Sequence, residues 1–273
     1  MAKIDYSILS KIMVHYVNKL NFILNAIENF QKNNTKRKLK ILDVGCGVGN
    51  ITLQIAHNNY NVLGIDIDNK SIEFAKKRNK FKNCKFMVAN AHDLKIKEKF
   101  DVIVCAEVLE HLKYPEKLVE SLNQIMKEDG LLIVTIPNGY GPTELSLKPK
   151  MIAGKILKKI GIYEKARDLK WKIKKKNQNQ DCFDKFGMDT LNTHNDGALH
   201  EQFFTISSFK SLLNKNNLNI IKHRNTYFLL GVWQLSTIYS KYKTLQKIDC
   251  LIAKNLPAFM ASDWSFEIKR RRI

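Results

Sequence analysis

Residues 39–50 read LKILDVGCGVGN, and this stretch decides the fold. A short apolar run leads into three glycines at alternate positions, Gly45, Gly47 and Gly49, and a helical stretch follows. Glycine lets a ligand lie against bare backbone, and the free N–H groups at the start of a helix attract a carboxylate or phosphate. The stretch therefore predicts a strand, a ligand-binding turn and a helix. A tight turn without a ligand is the simpler alternative.

Short apolar runs and helical stretches continue to alternate after this turn. Because parallel strands need helical crossovers, the pattern predicts a parallel sheet covered by helices on both faces. Later apolar runs at 218–223 and 264–269 complete a doubly wound, mostly parallel α/β sheet of seven strands. The first five strands are predicted at 39–44, 61–66, 84–88, 100–105 and 131–136, and the helices between them at 49–58, 69–80, 106–112 and 115–127.

Four regions of the chain differ in their pattern. The first contains apolar residues at steps of three and four over 7–30, which predicts an amphipathic helix that covers a core or a substrate. In the second region, predicted strands alternate with predicted helices. The third region is rich in lysine and arginine. The predicted regions are the N-terminal helix within 1–35, the α/β core over 36–138, a basic insertion over 139–199, and a completion of the sheet over 200–273 with a helical insertion at about 233–256.

The composition excludes several classes of protein. The chain has 273 residues, of which 44% are hydrophobic, so it can bury a sizeable core. Its five cysteines are scattered without a C-x-x-C pair, which argues against a disulfide framework or a thiolate zinc site. No apolar run reaches the roughly 18 residues that a membrane span needs. We expect a cytoplasmic protein, with peripheral contact to a membrane as an open addition.

The net charge is +20, from 46 Lys and Arg against 26 Asp and Glu. Lysine supplies 39 of the 46, whereas bidentate phosphate recognition favours arginine, so the excess is weak evidence for nucleic-acid binding. Ten cations lie within 151–176, interleaved with apolar residues such as Trp171. That segment predicts either a surface helix on an anionic membrane or a lid over a substrate, and both interpretations stay open.

A carboxylate follows the second predicted strand, about 20 residues after the glycines. Asp66 can bind both hydroxyls of a ribose there, because ligands lie outside the carboxyl ends of parallel strands. Asn90, Ala91 and His92 follow the third strand and can offer polar groups to an adenine. The dinucleotide fingerprint needs a small residue at position 50, and Asn50 argues against a nicotinamide-dependent oxidoreductase.

Three segments together resemble the class I S-adenosylmethionine-dependent methyltransferases, which have a Rossmann-like fold. They are 41–49 (ILDVGCGVG), 64–67 (GIDI) and 100–112 (FDVIVCAEVLEHL). The ubiquinone-biosynthesis O-methyltransferases are the most similar subgroup. The resemblance is strong over about 35–138, and it does not cover the N-terminal helix or the two insertions. It implies methyl transfer from S-adenosyl-L-methionine and leaves the acceptor undefined.

The resemblance also implies roles for individual residues. Asp43 would orient the amino group of the cofactor, and Asp66 would hold its ribose. Asn90 stands where the family commonly has an Asp that meets the adenine amino group. The other residues implied in cofactor binding are Gly45 and Gly47 under the methionine part, Ala91 and His92 at the adenine, Cys105 with Ala106 beside the sulfonium, and Cys46 and Ile67.

Three polar residues, Glu107, Glu110 and His111, follow the fourth predicted strand on the cofactor side. A sulfonium is already an activated donor, so the protein must align the acceptor, exclude water and, for a hydroxyl, remove a proton. His111 is the first candidate for the general base because its ordinary pKa lies near neutral pH. Packing is its structural alternative, and His200 is the second candidate. We predict no metal site; one formed by the three residues is the less favoured alternative.

The residues predict a methyltransferase that acts on a small molecule or on a lipid- or glycan-linked acceptor, with oxygen as the acceptor atom. The charge suggests a nucleic-acid methyltransferase as an alternative. However, no Asn/Asp-Pro-Pro-aromatic loop follows the fourth strand, and Cys105 lacks the neighbouring proline of the cytosine C5 enzymes. A non-catalytic subunit that binds S-adenosylmethionine is a further alternative.

Overall fold

One seven-stranded sheet organises the protein. A computed structural model describes residues 3–8, 14–34, 37–91, 93–146, 200–230, 232, 235, 238–239 and 242–271. His92 and most of the predicted basic insertion, including 151–176, lie outside the described residues. The strands are β1 (Lys40–Val44), β2 (Asn61–Asp66), β3 (Cys84–Val88), β4 (Phe100–Ala106), β5 (Met126–Pro137), β6 (Leu218–Asn225) and β7 (Asp263–Arg270).

The strand order across the sheet is β3-β2-β1-β4-β5-β7-β6. Strands β1 to β5 run parallel, and β7 runs antiparallel to both β5 and β6. Because β1 pairs with both β2 and β4, the winding reverses there, and the carboxyl ends of β1 and β4 meet at the point where such sheets bind ligands. The predicted doubly wound, mostly parallel sheet is confirmed.

Helices cover both faces of this sheet. Successive strand residues point to opposite faces, so Ile41 joins one apolar cluster and Leu42 joins the other. The first cluster packs under α1, α2 and α3, and the second packs under α4 and α5. The helices are α1 (Val14–Asn34), α2 (Asn50–His57), α3 (Asn69–Arg78), α4 (Pro115–Ile125), α5 (Ile206–Lys215) and α6 (Lys243–Asn255).

The N-terminal helix covers the core. In α1, Ile23 and Ile27 are fully buried in the same cluster as Val104 of β4 and Ile133 of β5. Burying such side chains is worth about 1.5–3 kcal/mol each. The predicted amphipathic helix therefore exists, and it packs on the middle of the sheet.

Two local predictions need correction. The predicted helix over 106–112 is only a 3₁₀ turn at Leu109–His111, because Glu107 has a φ of 58° that no helix can contain. The predicted helix over 115–127 ends at Ile125, since β5 already begins at Met126. Both corrections shorten helices next to the carboxyl end of β4.

A buried carboxylate at the other end of β4 offers a test of stability. Asp101 accepts hydrogen bonds from Arg37, from the Lys40 N–H (2.8 Å) and from Lys127 Nζ (2.9 Å). Burial alone would raise the pKa of Asp101, but these bonds outweigh it and lower the pKa below its usual range. The stabilisation is therefore present above the unfolded pKa of about 3.9 and is lost as the pH falls through the folded value.

We expect Asp101→Asn to lower the free energy of unfolding by about 1–3 kcal/mol at pH 7, because the charge-assisted bonds are lost. The difference from the parent protein should shrink as the pH falls towards 2. Urea unfolding at several pH values measures both effects. Asp93→Asn is the matched control, since Asp93 pairs only with the exposed Lys95. An equal loss at low and neutral pH would contradict the electrostatic explanation.

Candidate functional site

The turn between β1 and α2 is open above its middle glycine. Gly45, Gly47 and Gly49 have φ values of 68°, 51° and 82°, which L side chains rarely adopt. A Cβ at Gly49 would lie 2.7 Å from the ring of Phe86, and one at Gly45 would overlap Val108. Among the described residues, and apart from its two neighbours in the chain, nothing lies within 4 Å of a Cβ placed at Gly47. The backbone of Gly47 therefore borders space that a ligand can fill.

Asp66 ends β2 and faces the same turn. Its Oδ2 accepts a hydrogen bond from the Gly47 N–H (2.8 Å), and its Oδ1 accepts one from the Asp68 N–H (2.9 Å). A carboxylate has about four acceptor positions, so two remain for the hydroxyls of a ribose. Asp68 caps α3 by accepting from the Ser71 N–H (2.9 Å). This geometry supports the role predicted for Asp66.

Apolar side chains lie exposed beside Asp66. The exposed fractions are 60% for Ile67, 40% for Met87 and 45% for Val88, at the carboxyl ends of β2 and β3. Such side chains suit the face of an aromatic base next to polar groups that fix its orientation. Asn90 is exposed nearby, and Ala91 is half-buried. The structure thus brings four predicted residues to the same edge of the sheet, at the carboxyl ends of β2 and β3. They are Asp66, Ile67, Asn90 and Ala91.

Two predicted contact residues lie beneath the site instead of in its wall. Asp43 is 1% exposed and accepts a hydrogen bond from Thr52 Oγ1 (2.6 Å), and burial raises its pKa to about 7. Cys105 is fully buried in the apolar core. Neither residue has an open surface in this structure, and their contacts with the cofactor stay a prediction. The half-buried Cys46 and Ala106 lie closer to the surface.

Glu107 is held in a strained conformation immediately after β4. Its φ of 58° is uncommon for a non-glycine residue and persists only where the surroundings enforce it. Its N–H donates to the Thr135 carbonyl (2.9 Å), and its Oε1 accepts from Thr135 Oγ1 (2.7 Å). Its Oε2 lies 2.9 Å from Lys19 Nζ. Burial alone would raise the pKa of Glu107, but Lys19 outweighs it and holds the pKa below its usual range.

Lys19 and its second partner, Asp263, were not predicted from the sequence. Lys19 Nζ lies 2.7 Å from Asp263 Oδ2, and both residues are buried. The available signal is spacing: Lys19 precedes Ile23 and Ile27 by steps of four on the buried stripe of α1. A lysine on such a stripe needs a buried anion, but the sequence does not say which one. Only the packing of α1 against β7 supplies Asp263.

The 3₁₀ turn after β4 places Glu110 and His111 beside His200. The ring centroids of His111 and His200 are 5.0 Å apart, and His111 Nε2 lies 3.7 Å from Glu110 Oε1. The N–H groups of Glu201 and Gln202 both donate to the Glu110 carbonyl, at 2.8 and 3.0 Å. These bonds fix His200 against the turn. Both predicted candidates for the base therefore lie in one cluster.

Burial and neighbouring charges set the protonation of this cluster. Burial raises the pKa of Glu110 well above its usual range, and Glu107 raises it further. Burial lowers the pKa of His111, and the neighbouring imidazole of His200 lowers it further, which favours the neutral form of His111. Within the described residues, His111 Nδ1 and Glu110 Oε2 are buried without a hydrogen-bond partner. His200 Nδ1 lies 3.2 Å from Glu144 Oε2.

This cluster can act in two chemical ways. A neutral imidazole accepts a proton, so His111 can serve as a general base. Single ligand atoms of Glu110, His111 and His200 also lie within 4.8 Å of one another, which fits a divalent cation. The sequence suggested Glu107 as the third member of such a trio. The structure replaces it with His200, because Glu107 is turned towards Lys19.

The fold and the glycine turn agree with a comparison to known families. A family model described as a methyltransferase domain matches residues 35–255. The chain belongs to this methyltransferase family. It is an S-adenosylmethionine-dependent methyltransferase, and S-adenosyl-L-methionine is its cofactor.

Individual relatives confirm the resemblance seen in the sequence. The ubiquinone biosynthesis O-methyltransferase of Rickettsia canadensis is 32% identical over 130 residues, which are 46% of this chain and 54% of that protein. That of Pelagibacter ubique is 33% identical over 120 residues, which are 42% and 50% of the two chains. The chain thus spans about half the length of the curated relatives it matches.

A solved structure supports the fold. The S-adenosylmethionine-dependent methyltransferase from Clostridium acetobutylicum superposes with a TM-score of 0.55 at 15% identity, over 99% of this chain and 94% of that one. At this identity the similarity concerns the fold alone.

Proposed function

We propose that the protein transfers a methyl group to a hydroxyl oxygen of a small or lipid-like acceptor, with His111 as the general base. The observation that carries this proposal is the cluster of Glu110, His111 and His200 on the same sheet edge as the open glycine turn. The cluster contains a neutral imidazole with a buried, unpartnered nitrogen. A hydroxyl placed between the turn and the cluster has a proton acceptor within reach.

The cofactor would lie across the carboxyl ends of β1 and β2. The Gly47 backbone would face its methionine part, Asp66 would accept its ribose hydroxyls, and Ile67 would contact its adenine. When bound, S-adenosylmethionine supplies a methyl group that is already activated by the sulfonium. The protein therefore has to bind and orient both partners and exclude water from the space between them.

The buried ion pairs would form the rigid wall of the acceptor site. Lys19 holds Glu107 on one side, and Asp263 holds Lys19 from the other. In this position Glu107 is fixed and charged, and Glu110 favours its protonated form. The buried Glu110 would hold His111 in place, while His111 would take the proton that the hydroxyl loses.

The choice of oxygen as the acceptor atom rests on the relatives. Those relatives are named ubiquinone biosynthesis O-methyltransferases. The match to this chain covers about half of the length of each relative. A lipid-like acceptor is supported by the basic segment over 151–176, whose apolar residues are interleaved with lysines. RNA methylation is the alternative that the net charge of +20 suggests.

The deciding experiment incubates the protein with an isotopically labelled methyl donor and a fractionated cell extract. Label in the lipid or small-metabolite fraction supports the proposal, and label in RNA supports the alternative. Binding of the donor without label in any fraction would indicate the non-catalytic subunit. The Asp66→Ala variant is the control, because uptake that persists without cofactor binding comes from the extract.

We expect Lys19→Met to destabilise the protein by about 3–5 kcal/mol, mainly because it leaves the fully buried Asp263 without a cation; the partly exposed Glu107 adds little to the loss. The double variant Lys19→Met/Asp263→Asn removes one charge of each sign and should recover part of that loss. If Lys19 positions Glu107, turnover of the double variant stays low while its affinity for the cofactor is normal. Urea unfolding, calorimetry and turnover separate these effects. Normal turnover in the folded double variant would show that Lys19 is only structural.

A further inference from the structure

Helix α6 buries Gln246, Asp249, Cys250 and Ala253 and leaves a row of apolar side chains exposed. The buried Gln246 accepts a hydrogen bond from the Val14 N–H (2.9 Å) and donates one to the Tyr239 carbonyl (2.6 Å). The buried Asp249 accepts bonds from the N–H groups of Phe228 (2.9 Å) and Leu229 (2.7 Å). These bonds determine which face of α6 points inwards, so the exposure of the opposite face follows from the fold.

The outer face of α6 is apolar. It consists of Leu245, Ile248, Leu251 and Ile252, which are between 39% and 59% exposed. Aromatic side chains extend it at both ends, since Tyr242 is 58% exposed and Phe259, shortly after the helix, is 72% exposed. Single exposed apolar side chains are common, but a contiguous row on one helix marks an interaction surface.

Positive charges border this outer face on one side. Lys243, Lys247 and Lys254 are exposed and follow one another at steps of four and seven, which places them in one row along the helix. The only acidic residue of α6 is Asp249, and it is buried. An apolar row beside a row of lysines, with no exposed acid, is the pattern of a helix that lies in a membrane interface.

We propose that the outer face of α6 docks on the surface of an anionic lipid bilayer. The apolar row would enter the boundary between headgroups and acyl chains, Tyr242 and Phe259 would lie at headgroup depth, and the lysines would meet lipid phosphates. Charge favours this partner over a second copy of the chain, because each copy carries a net charge of +20. Within the described residues, no helix is long and apolar enough to cross a membrane.

The docking surface lies behind the acceptor side of the site. The inner face of α6 contacts Val14 at the start of α1. Further along α1, Lys19 forms an ion pair with Glu107. Docking would therefore hold the site close to the lipid surface. The proposal does not depend on the acceptor, and binding to lipid can be measured without turnover.

The experiment uses the full chain with vesicles of phosphatidylcholine, with and without 30% phosphatidylglycerol, and measures co-sedimentation at low and high salt. We expect binding to the anionic vesicles only. The variant Ile248→Ser/Leu251→Ser should bind at least about tenfold more weakly. The variant Lys243→Gln/Lys247→Gln/Lys254→Gln should bind about a hundredfold more weakly, at about fivefold for each lysine.

Two control variants change residues outside α6: one lies near β3, at the far edge of the sheet, and the other lies on β6. The variant Lys80→Gln/Lys82→Gln/Lys85→Gln removes the same charge near β3, and Ile221→Ser removes an exposed apolar side chain from β6. Both should bind vesicles nearly as the parent protein does. Parent-like binding by both α6 variants, or equal losses in the controls, would overturn the proposal.

A second measurement tests self-association at the same face. Light scattering in solution should show the same mass for the parent protein and for Ile248→Ser/Leu251→Ser. A parent dimer that this variant dissociates, together with unchanged vesicle binding, would assign the outer face of α6 to a second copy and overturn the lipid proposal. Circular dichroism and cofactor affinity check that each variant is folded.

Discussion

Replacing His111 by alanine is expected to lower turnover by about 10²–10⁴-fold if, as proposed, His111 removes a proton from an acceptor hydroxyl. The affinity for S-adenosylmethionine should stay within a few fold, since His111 lies on the acceptor side of the sheet edge. Labelled methyl transfer and calorimetry measure the two quantities separately. Turnover like that of the parent protein would leave His111 with a packing role only.

A control and a chelator define what His111 does. His57→Ala removes a half-buried histidine from α2, away from the site, and should leave turnover unchanged. If Glu110, His111 and His200 hold a divalent cation, dialysis against a chelator should abolish turnover, and added metal should restore it. If His111 acts alone, the chelator should have no effect.

Closing the glycine turn or removing the ribose acceptor is expected to weaken cofactor binding at least about tenfold. Gly47→Val would fill the open space above the turn with a branched side chain and would force valine into a positive φ. Asp66→Ala would remove the carboxylate and leave the Gly47 N–H without its acceptor. Calorimetry with S-adenosylmethionine measures both losses.

The neighbouring carboxylate provides the control. Asp68→Ala removes the cap of α3 and should cost about 1 kcal/mol of stability, while cofactor affinity stays near that of the parent protein. Near-normal affinity in both Gly47→Val and Asp66→Ala would contradict the placement of the cofactor. Equal losses for Asp66→Ala and Asp68→Ala would point to a general effect on the loop.

Cofactor-side residues could be found because they lie close together in the sequence. The turn over 45–49 and the carboxylate that ends β2 belong to one strand-helix-strand unit, whose geometry is nearly the same wherever it occurs. Strands β2 and β3 lie at the predicted residues, 61–66 and 84–88. Asp43 and Cys105 were placed correctly along the strands. Their depth was not foreseen, because burial depends on what packs above each strand.

The acceptor side could be predicted only in part. His111 and His200 were both candidates for the base, but their contact depends on the bonds that tie the segment after His200 to the Glu110 carbonyl. The helix predicted over 106–112 does not form at Glu107. Bonds from Glu107 to Thr135 and Lys19 stabilise a backbone conformation there that local propensity disfavours.

The sequence by itself determined the strands of the sheet, the glycine turn and the acid at the end of β2, because local spacing encodes each of these, and its resemblance to a known family implied the cofactor. Only the tertiary structure decided that Lys19, Glu107 and Asp263 meet, since they come from a helix, a loop and an antiparallel strand that are distant along the chain. The tertiary structure also decided which face of α6 is exposed. An amphipathic pattern predicts a helix with two faces, but only tertiary contacts, including the buried bonds of Gln246 and Asp249, select which face lies inside.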